Sequence, residues 1–396
     1  MSQNARFSRK ITELAQIEAP LFRNWENPKA ATLPADACIF DSGNPTELPL
    51  PGYVAALQKW SVPQANDWFG YFGGEGHAKK VVANSLQAQF GRPYTPDDII
   101  MTNGAFGALA VALQCLAEAG DEVIYLLPPW FFYEGMIHNT GAKPVAVQIR
   151  LDNFDLDLDA IAAALNEKTK AIVINSPNNP TGKIYPPATL AALAEILQSA
   201  SERYGHPIYL ISDEAYRRIL YDNREFHSPT SYYPHSLMVY TYGKTLLNPG
   251  ERLGYLAVSP EMPGREELQK PLFLAQAFTG FAIPNSLLMR ALEDIEELCV
   301  DLNQLQRRRD RLVGALQKIG YQVHVPEATF YLFPRSPLAD DWAFVDLLME
   351  QKISCLPGSV VNLPGYFRLS LTANDAMIER SLAGFAAAFA LAQSRN

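Results

Sequence analysis

Lys244 stands just past an apolar run, Met238-Val239-Tyr240, inside Thr241-Tyr242-Gly243-Lys244-Thr245. An ammonium is costly in apolar surroundings, and the neutral amine is the nucleophile that Schiff-base chemistry with a carbonyl compound needs. Most lysines are solvated surface charges, so position is what singles this one out. Three further groups offer complementary chemistry. The turn Thr102-Asn103-Gly104-Ala105-Phe106-Gly107-Ala108 leads from an apolar run into a helical one that starts near Ala105. The free N–H groups of a helix start can hold a phosphate dianion. Asp213, in Asp213-Glu214-Ala215-Tyr216, follows another apolar run. It can cap a helix, or set a carboxylate beside a buried positive charge. Arg368 lies in Gly365-Tyr366-Phe367-Arg368-Leu369-Ser370, where a planar guanidinium calls for a carboxylate, either a structural partner or a bound acid.

These groups need strands and helices to bring them together. From about Tyr53 to Ser259, short β-rich runs alternate with longer helical patterns. The spacing predicts strands at Asp98–Thr102, Glu122–Leu126, Ala171–Asn175, Ile208–Ser212, Met238–Tyr242 and Gly254–Val258, and a helix over Ala188–Ser201. Such alternation implies a mostly parallel sheet covered by helices on both faces. After Pro260 the pattern predicts one long helical stretch, Ser286–Ile319. Short strands at Tyr321–Val325, Phe330–Phe333 and Tyr366–Leu371 and a final Ala-rich helix follow, as in a second, α+β domain. Ligands of open parallel sheets sit beyond the carboxyl ends of the strands. The segments that follow these strands are Asn103-Gly104, Pro128-Pro129-Trp130, Asn178-Asn179-Pro180, Asp213-Glu214-Ala215-Tyr216 and Thr241–Lys244, and all five are expected at one edge.

The 396 residues suit a large domain with a smaller one, and 48% hydrophobic against 19% charged residues provides a sizeable core. A net charge of −9 gives no basic footprint for nucleic acid. The cysteines, Cys38, Cys115, Cys299 and Cys355, form no CxxC pair, so neither a metal site nor a disulfide framework is expected. The start, Met1 to Arg6, has no apolar signal core, and the uncharged run Ile99–Ala117 carries Thr102, Asn103 and two glycines. A soluble, cytoplasmic protein without a membrane span is expected.

The segment from Thr241-Tyr242-Gly243-Lys244 to Arg252-Leu253-Gly254-Tyr255 resembles the lysine signature of the class I/II pyridoxal-phosphate-dependent aminotransferases, and the other segments resemble that family's motifs in its order. The resemblance implies an α/β protein of fold type I. Its large domain would hold a mostly parallel seven-stranded sheet flanked by helices, beside a smaller α+β domain. Residues 1–50 would pack with the small domain, 51–270 form the large cofactor domain and 271–396 the small one. It implies pyridoxal 5′-phosphate bound through Lys244, with Asp213 at the pyridine nitrogen and Tyr216 and Asn179 at the phenolic oxygen. Trp130 would stack on the ring, supported by Tyr133 behind Asp213. The phosphate would be held by Gly104, Ala105, Phe106, Thr241, Arg252 and Tyr71 of a neighbouring subunit. Lys244, Asp213 and Tyr216 would carry catalysis, and Arg368, Gly43 and Asn179 would bind substrate. The implied activity is ping-pong transfer of an amino group between an amino acid and a 2-oxo acid in a homodimer with shared sites. Gly243 and Ala105-Phe106 replace hydroxyl residues usual in the family, which leaves a lyase or cyclase on the same scaffold as the alternative.

Two other classes are disfavoured. A nicotinamide dehydrogenase needs GxGxxG after an early strand, but the nearest run is Gly74-Glu75-Gly76-His77-Ala78-Lys79. A regulator that borrows this fold needs an added DNA-binding domain, and the chain has no room for one ahead of the first motif.

Overall fold

The computed structural model describes residues 6–395; Met1–Ala5, and with them most of the segment read above for a signal core, lie outside the described residues. In chain order the strands are β1 (Cys38–Ile39), β2 (Ile99–Thr102), β3 (Glu122–Leu127), β4 (Lys143–Gln148), β5 (Thr169–Asn175), β6 (Tyr209–Asp213), β7 (Ser236–Thr241), β8 (Gly254–Val258), β9 (Tyr331–Leu332), β10 (Ile353–Ser354), β11 (Leu356–Pro357) and β12 (Phe367–Ser370). Seven of them form one sheet in the order β2-β8-β7-β6-β5-β3-β4. Strand β8 runs against both neighbours, and every other pair is parallel.

The alternation of side chains along the strands divides the core between two faces. Ile172 and Ile174 point toward Leu190, Leu193 and Leu197 of the helix Pro187–Tyr204. Ala171 and Val173 point the other way, onto Ala108, Leu109 and Ala112 of the helix Gly104–Leu116. That helix is made almost wholly of Gly, Ala, Val and Leu, so it can lie buried beneath the sheet. Each Leu, Ile or Val so buried contributes about 1.5–3 kcal/mol.

Register brings the chemistry level. Asn175 pairs with Asp213 across β5 and β6, and Thr241 pairs with Gly254 across β7 and β8. The chain reverses direction across the sheet between β3 and β5, the switch point at which such sheets bind ligands.

The C-terminal residues build a second layer around the antiparallel set β11-β12-β9 and the parallel pair β1 and β10. The helices Leu302–Ile319, Asp341–Glu350 and Asp375–Gln393 cover it. Tyr216 and Ile219, which follow β6, are buried in this layer's core and tie it to the sheet.

Several expectations are corrected. Tyr321–Val325 forms no strand: its one ladder-like bond is from the Arg335 N–H to the Gln322 carbonyl, and Pro326 follows. The stretch Ser286–Ile319 is two helices, Ser286–Ile295 and Leu302–Ile319. Between them the Val300 N–H bonds to the Thr245 carbonyl, and Asp301 caps the second helix by accepting from the Gln304 N–H. Strand β4 has no counterpart in the sequence reading, because this edge strand is only half-buried and carries Lys143, Pro144 and Gln148. Asp98 lies in a capping turn ahead of β2, where Thr95 donates to its carboxylate. Tyr242 belongs to the turn after β7, which starts where the Thr241 hydroxyl accepts from the Gly243 N–H.

Candidate active site

Four of the five strand-end segments line a cavity of about 590 Å³, and the two residues just past the fifth segment (Asn103-Gly104) line it too. Its lining includes Trp130 beyond β3, Asn175 and Asn179 beyond β5, Asp213 and Tyr216 beyond β6, Lys244 beyond β7, and Ala105 and Phe106 beyond β2. Gly43, Arg252 and Arg368 line it too. A concave site of this size with a few convergent polar groups is the usual form of a small-molecule site.

The Lys244 amine makes no hydrogen bond or ion pair among the described residues; the rings of Tyr216 and Phe330 lie 5.9 Å from its Nζ. Asp213 is buried and held on both oxygens. Tyr133 Oη donates to Oδ2 at 2.6 Å, and the Ala215 N–H donates to Oδ1 at 3.1 Å. Burial pushes its carboxyl above the ordinary range, while Tyr133, the Ala215 amide and the nearby Lys244 charge pull it back. Those three influences oppose the burial that favours the neutral acid.

Arg368 is buried without a carboxylate among the described residues. Nη1 donates to Asn179 Oδ1 and Nη2 to the Asp41 carbonyl, both at 3.0 Å, and Nε has no partner. Five N–H groups less two leave three for an incoming anion. The guanidinium carbon sits 4.1 Å from the centre of the Tyr331 ring. The Tyr216 and Tyr331 rings meet edge to face at 5.9 Å. Burial raises the Tyr331 phenol, yet the Arg368 and Lys244 charges and the Tyr216 phenol bring it below its ordinary value. Tyr216 itself is pushed well above its ordinary value, by burial first.

At the opposite end, the helix begins at Gly104, one residue earlier than expected, with φ at +75°. Arg252 lies across this turn, itself left-handed at φ +51°, and its Nη2 donates to the Asn103 carbonyl at 3.1 Å. A side chain at Gly104 would meet that Nη2 at 2.9 Å, so glycine permits the approach. The Thr241 hydroxyl lines the cavity but also donates to the Leu253 carbonyl at 3.3 Å. Phe106 turns its ring onto Trp130, edge to face at 5.2 Å.

Two expected residues stand apart. Gly104 does not line the cavity and packs against Arg252. Tyr71 is 91% exposed in a loop that does not line this chain's cavity. Several lining residues went unread in the sequence. Tyr331 lies in the apolar run Phe330–Phe333, and Leu21, Asn24 and Trp25 belong to the helix Ala19–Trp25, where no polar motif marks them. Asp41 had a faint signal, its place directly before Ser42-Gly43-Asn44.

Comparison with known proteins fits this geometry. The family profile described as Aminotransferase class I and II matches residues 36–385. The aspartate/prephenate aminotransferase of Thermus thermophilus is 30% identical over 361 residues, covering 89% of this chain and 90% of that protein. An amino transferase from Eubacterium rectale, known from a crystal structure, superposes with a TM-score of 0.90 at 27% identity, covering 98% of this chain and 99% of that one. The Thermus thermophilus aspartate aminotransferase crystallised with maleate gives a TM-score of 0.82 at 25% identity, covering 97% and 100%.

Proposed function

The chain belongs to the class I and II aminotransferases, and from that premise we propose how its own residues divide the transfer of an amino group from an amino acid to a 2-oxo acid. The observation that carries the proposal is an unpartnered lysine and a buried arginine lacking a carboxylate, facing one cavity.

Class I and II aminotransferases depend on pyridoxal 5′-phosphate, and the cavity fits that group. A free amine, a buried carboxylate, an indole, and a helix start beside Arg252 match its aldehyde, ring nitrogen, ring face and phosphate respectively. When bound, it supplies a carbonyl for the amino group and a ring that stabilises negative charge at the substrate Cα. Lys244 would hold it covalently and, once displaced by substrate, move the proton at Cα. Asp213, steadied by Tyr133, would keep a proton on the ring nitrogen. Tyr216 and the free amide hydrogens of Asn179 would donate to the phenolic oxygen. Backbone N–H groups of Gly104, Ala105 and Phe106, with Thr241 and Arg252, would hold the phosphate. Arg368 would grip the α-carboxylate with its three free N–H groups, with Gly43 alongside, so donor and acceptor can use one clamp in turn.

We propose a homodimer whose partner lends Tyr71 to the phosphate. Support comes from an exposed apolar patch around that loop: Phe69, Phe72, Phe273 and Phe278, with Phe72 and Phe273 at 6.4 Å. A cytoplasmic home is supported by four free cysteines, and no helix among the described residues is long and apolar enough to cross a membrane.

The test is a half-reaction. Purified holoenzyme is mixed with single amino acids, and the cofactor spectrum and organic product are followed. Conversion to pyridoxamine phosphate with one equivalent of 2-oxo acid is expected. A product that retains its α-amino nitrogen contradicts the proposal.

A further inference from the structure

We propose that the side-chain end of this cavity selects amino acids with apolar or aromatic side chains and turns away those with a second carboxylate. The inference rests on the aminotransferase reading above and adds its substrate class.

A dicarboxylic substrate needs two cationic clamps. Among the described residues the cations lining the cavity are Lys244, Arg252 and Arg368. Arg252 lies over the Gly104 turn, at the proposed phosphate end, and Lys244 is the proposed amine. Arg368 serves the α-carboxylate. No cation of this chain's lining remains for a distal acid.

The charge that does remain has the wrong sign. Asp41 lines the cavity, and its backbone carbonyl accepts a hydrogen bond from Arg368. Ser354 Oγ donates to Asp41 Oδ2 at 2.5 Å, but no cation lies within ion-pair distance among the described residues. A substrate carrying a second negative charge would be repelled by a carboxylate that has no cation to offset it.

The rest of the wall is apolar. Leu356 pairs directly across from Arg368, so apolar surface starts at the clamp itself. Leu21 and Trp25 approach from the N-terminal helix, and Phe106 and Phe131 flank Trp130 at 5.2 and 6.0 Å. Rings in edge-to-face arrays present both edges and faces, which suits an aromatic guest. A carboxylate there would lose its water for no partner. Asn24, also lining the cavity, leaves room for a side chain with one neutral polar group.

The test uses holoenzyme and one acceptor, comparing kcat/KM for phenylalanine, leucine and methionine with aspartate and glutamate. The best apolar donor should exceed aspartate on the order of 100-fold, the usual scale of rejection for an unpartnered group. Binding of unreactive acids, read from the cofactor spectrum, should follow the same order, with 3-phenylpropanoate ahead of succinate. In Asp41→Asn, which keeps an acceptor for Ser354, the ratio should narrow as aspartate gains. Aspartate at or above the best apolar donor overturns the inference and leaves the aminotransferase reading standing. A panel in which no amino acid yields a 2-oxo acid removes both.

Discussion

Two acid–arginine sets start from adjacent residues of this chain and could hardly be treated more differently. Asp213 and Glu214 follow one another at the end of β6, so their side chains leave on opposite sides of the sheet. Glu214 faces the core, where it accepts from Ser212 and Ser228 and lies 3.7 Å from Arg217. Arg217 is sealed in: it donates to Tyr255 Oη, contacts Met238 Sδ and sits 4.3 Å over the Tyr240 ring. Burial pushes the Glu214 carboxyl up to about 7. Asp213 faces the cavity, held by Tyr133 and the Ala215 amide, and Arg368 across from it touches only neutral oxygens and a ring. An arginine kept for structure keeps an acidic partner, here Glu214, although its Nε, like that of Arg368, has no bond. One kept for a ligand is aimed by weak, neutral partners and left unneutralised.

The largest expected effect concerns the two carboxylates. Asp213→Asn should lower kcat by at least about 100-fold, because an amide cannot stabilise the ring's positive charge. Glu214→Gln should leave kcat within a few-fold. Steady-state kinetics on both variants would break the comparison if the two behave alike.

Next come the arginines. Arg368→Lys should cut kcat/KM about 30–100-fold through loss of the planar fork, with unfolding free energy changed by less than about 1 kcal/mol. Arg217→Met should do the reverse, costing about 3–5 kcal/mol in denaturant titrations while KM is kept, because Glu214 is left buried without its counter-ion.

Tyr133→Phe sharpens the cavity side. Loss of its hydrogen bond to Asp213 should weaken cofactor affinity by about tenfold. It also has a signed pH consequence. Tyr133 lowers a carboxyl that burial raises, so without it Asp213 takes up a proton at higher pH. The acid limb of the kcat profile should move upward in the variant, and an unmoved limb would separate Asp213 from that titration.

The smallest effect is at Gly43, where an added side chain would meet Tyr331 Oη at 2.7 Å and Phe330 at 3.0 Å. Gly43→Ala should raise KM several-fold by displacing Tyr331 from Arg368, with Asp213-dependent cofactor binding intact. Equal KM values would show that the Tyr331 contact is slack.

The cavity's contents were legible in the sequence to the extent that they follow strands. Asp213, Lys244 and Asn179 are polar residues directly after apolar runs, a pattern that gives both location and chemistry. Tyr331 was hidden because its segment is apolar throughout and its role comes from Arg368, its ring's neighbour from the adjacent strand β12. Leu21, Asn24 and Trp25 reach the site only through the tertiary placement of an N-terminal helix, which periodicity does not encode. The same holds for Arg217, which no motif marks: what encloses it comes from β7 and β8. Among the elements, long buried strands and helices were readable. The errors fell on the edge strand β4, on Tyr321–Val325 and on the break at Val300, where single long-range bonds decide the outcome.

The central claim is that Lys244 is the amine which holds the cofactor. The most direct measurement is borohydride reduction of the holoenzyme, proteolysis and mass spectrometry of every lysine-bearing peptide. The cofactor's mass is expected on the peptide containing Lys244, and no trapped mass is expected in Lys244→Ala. Cofactor trapped on a different lysine, or retained in Lys244→Ala after reduction, would contradict the claim.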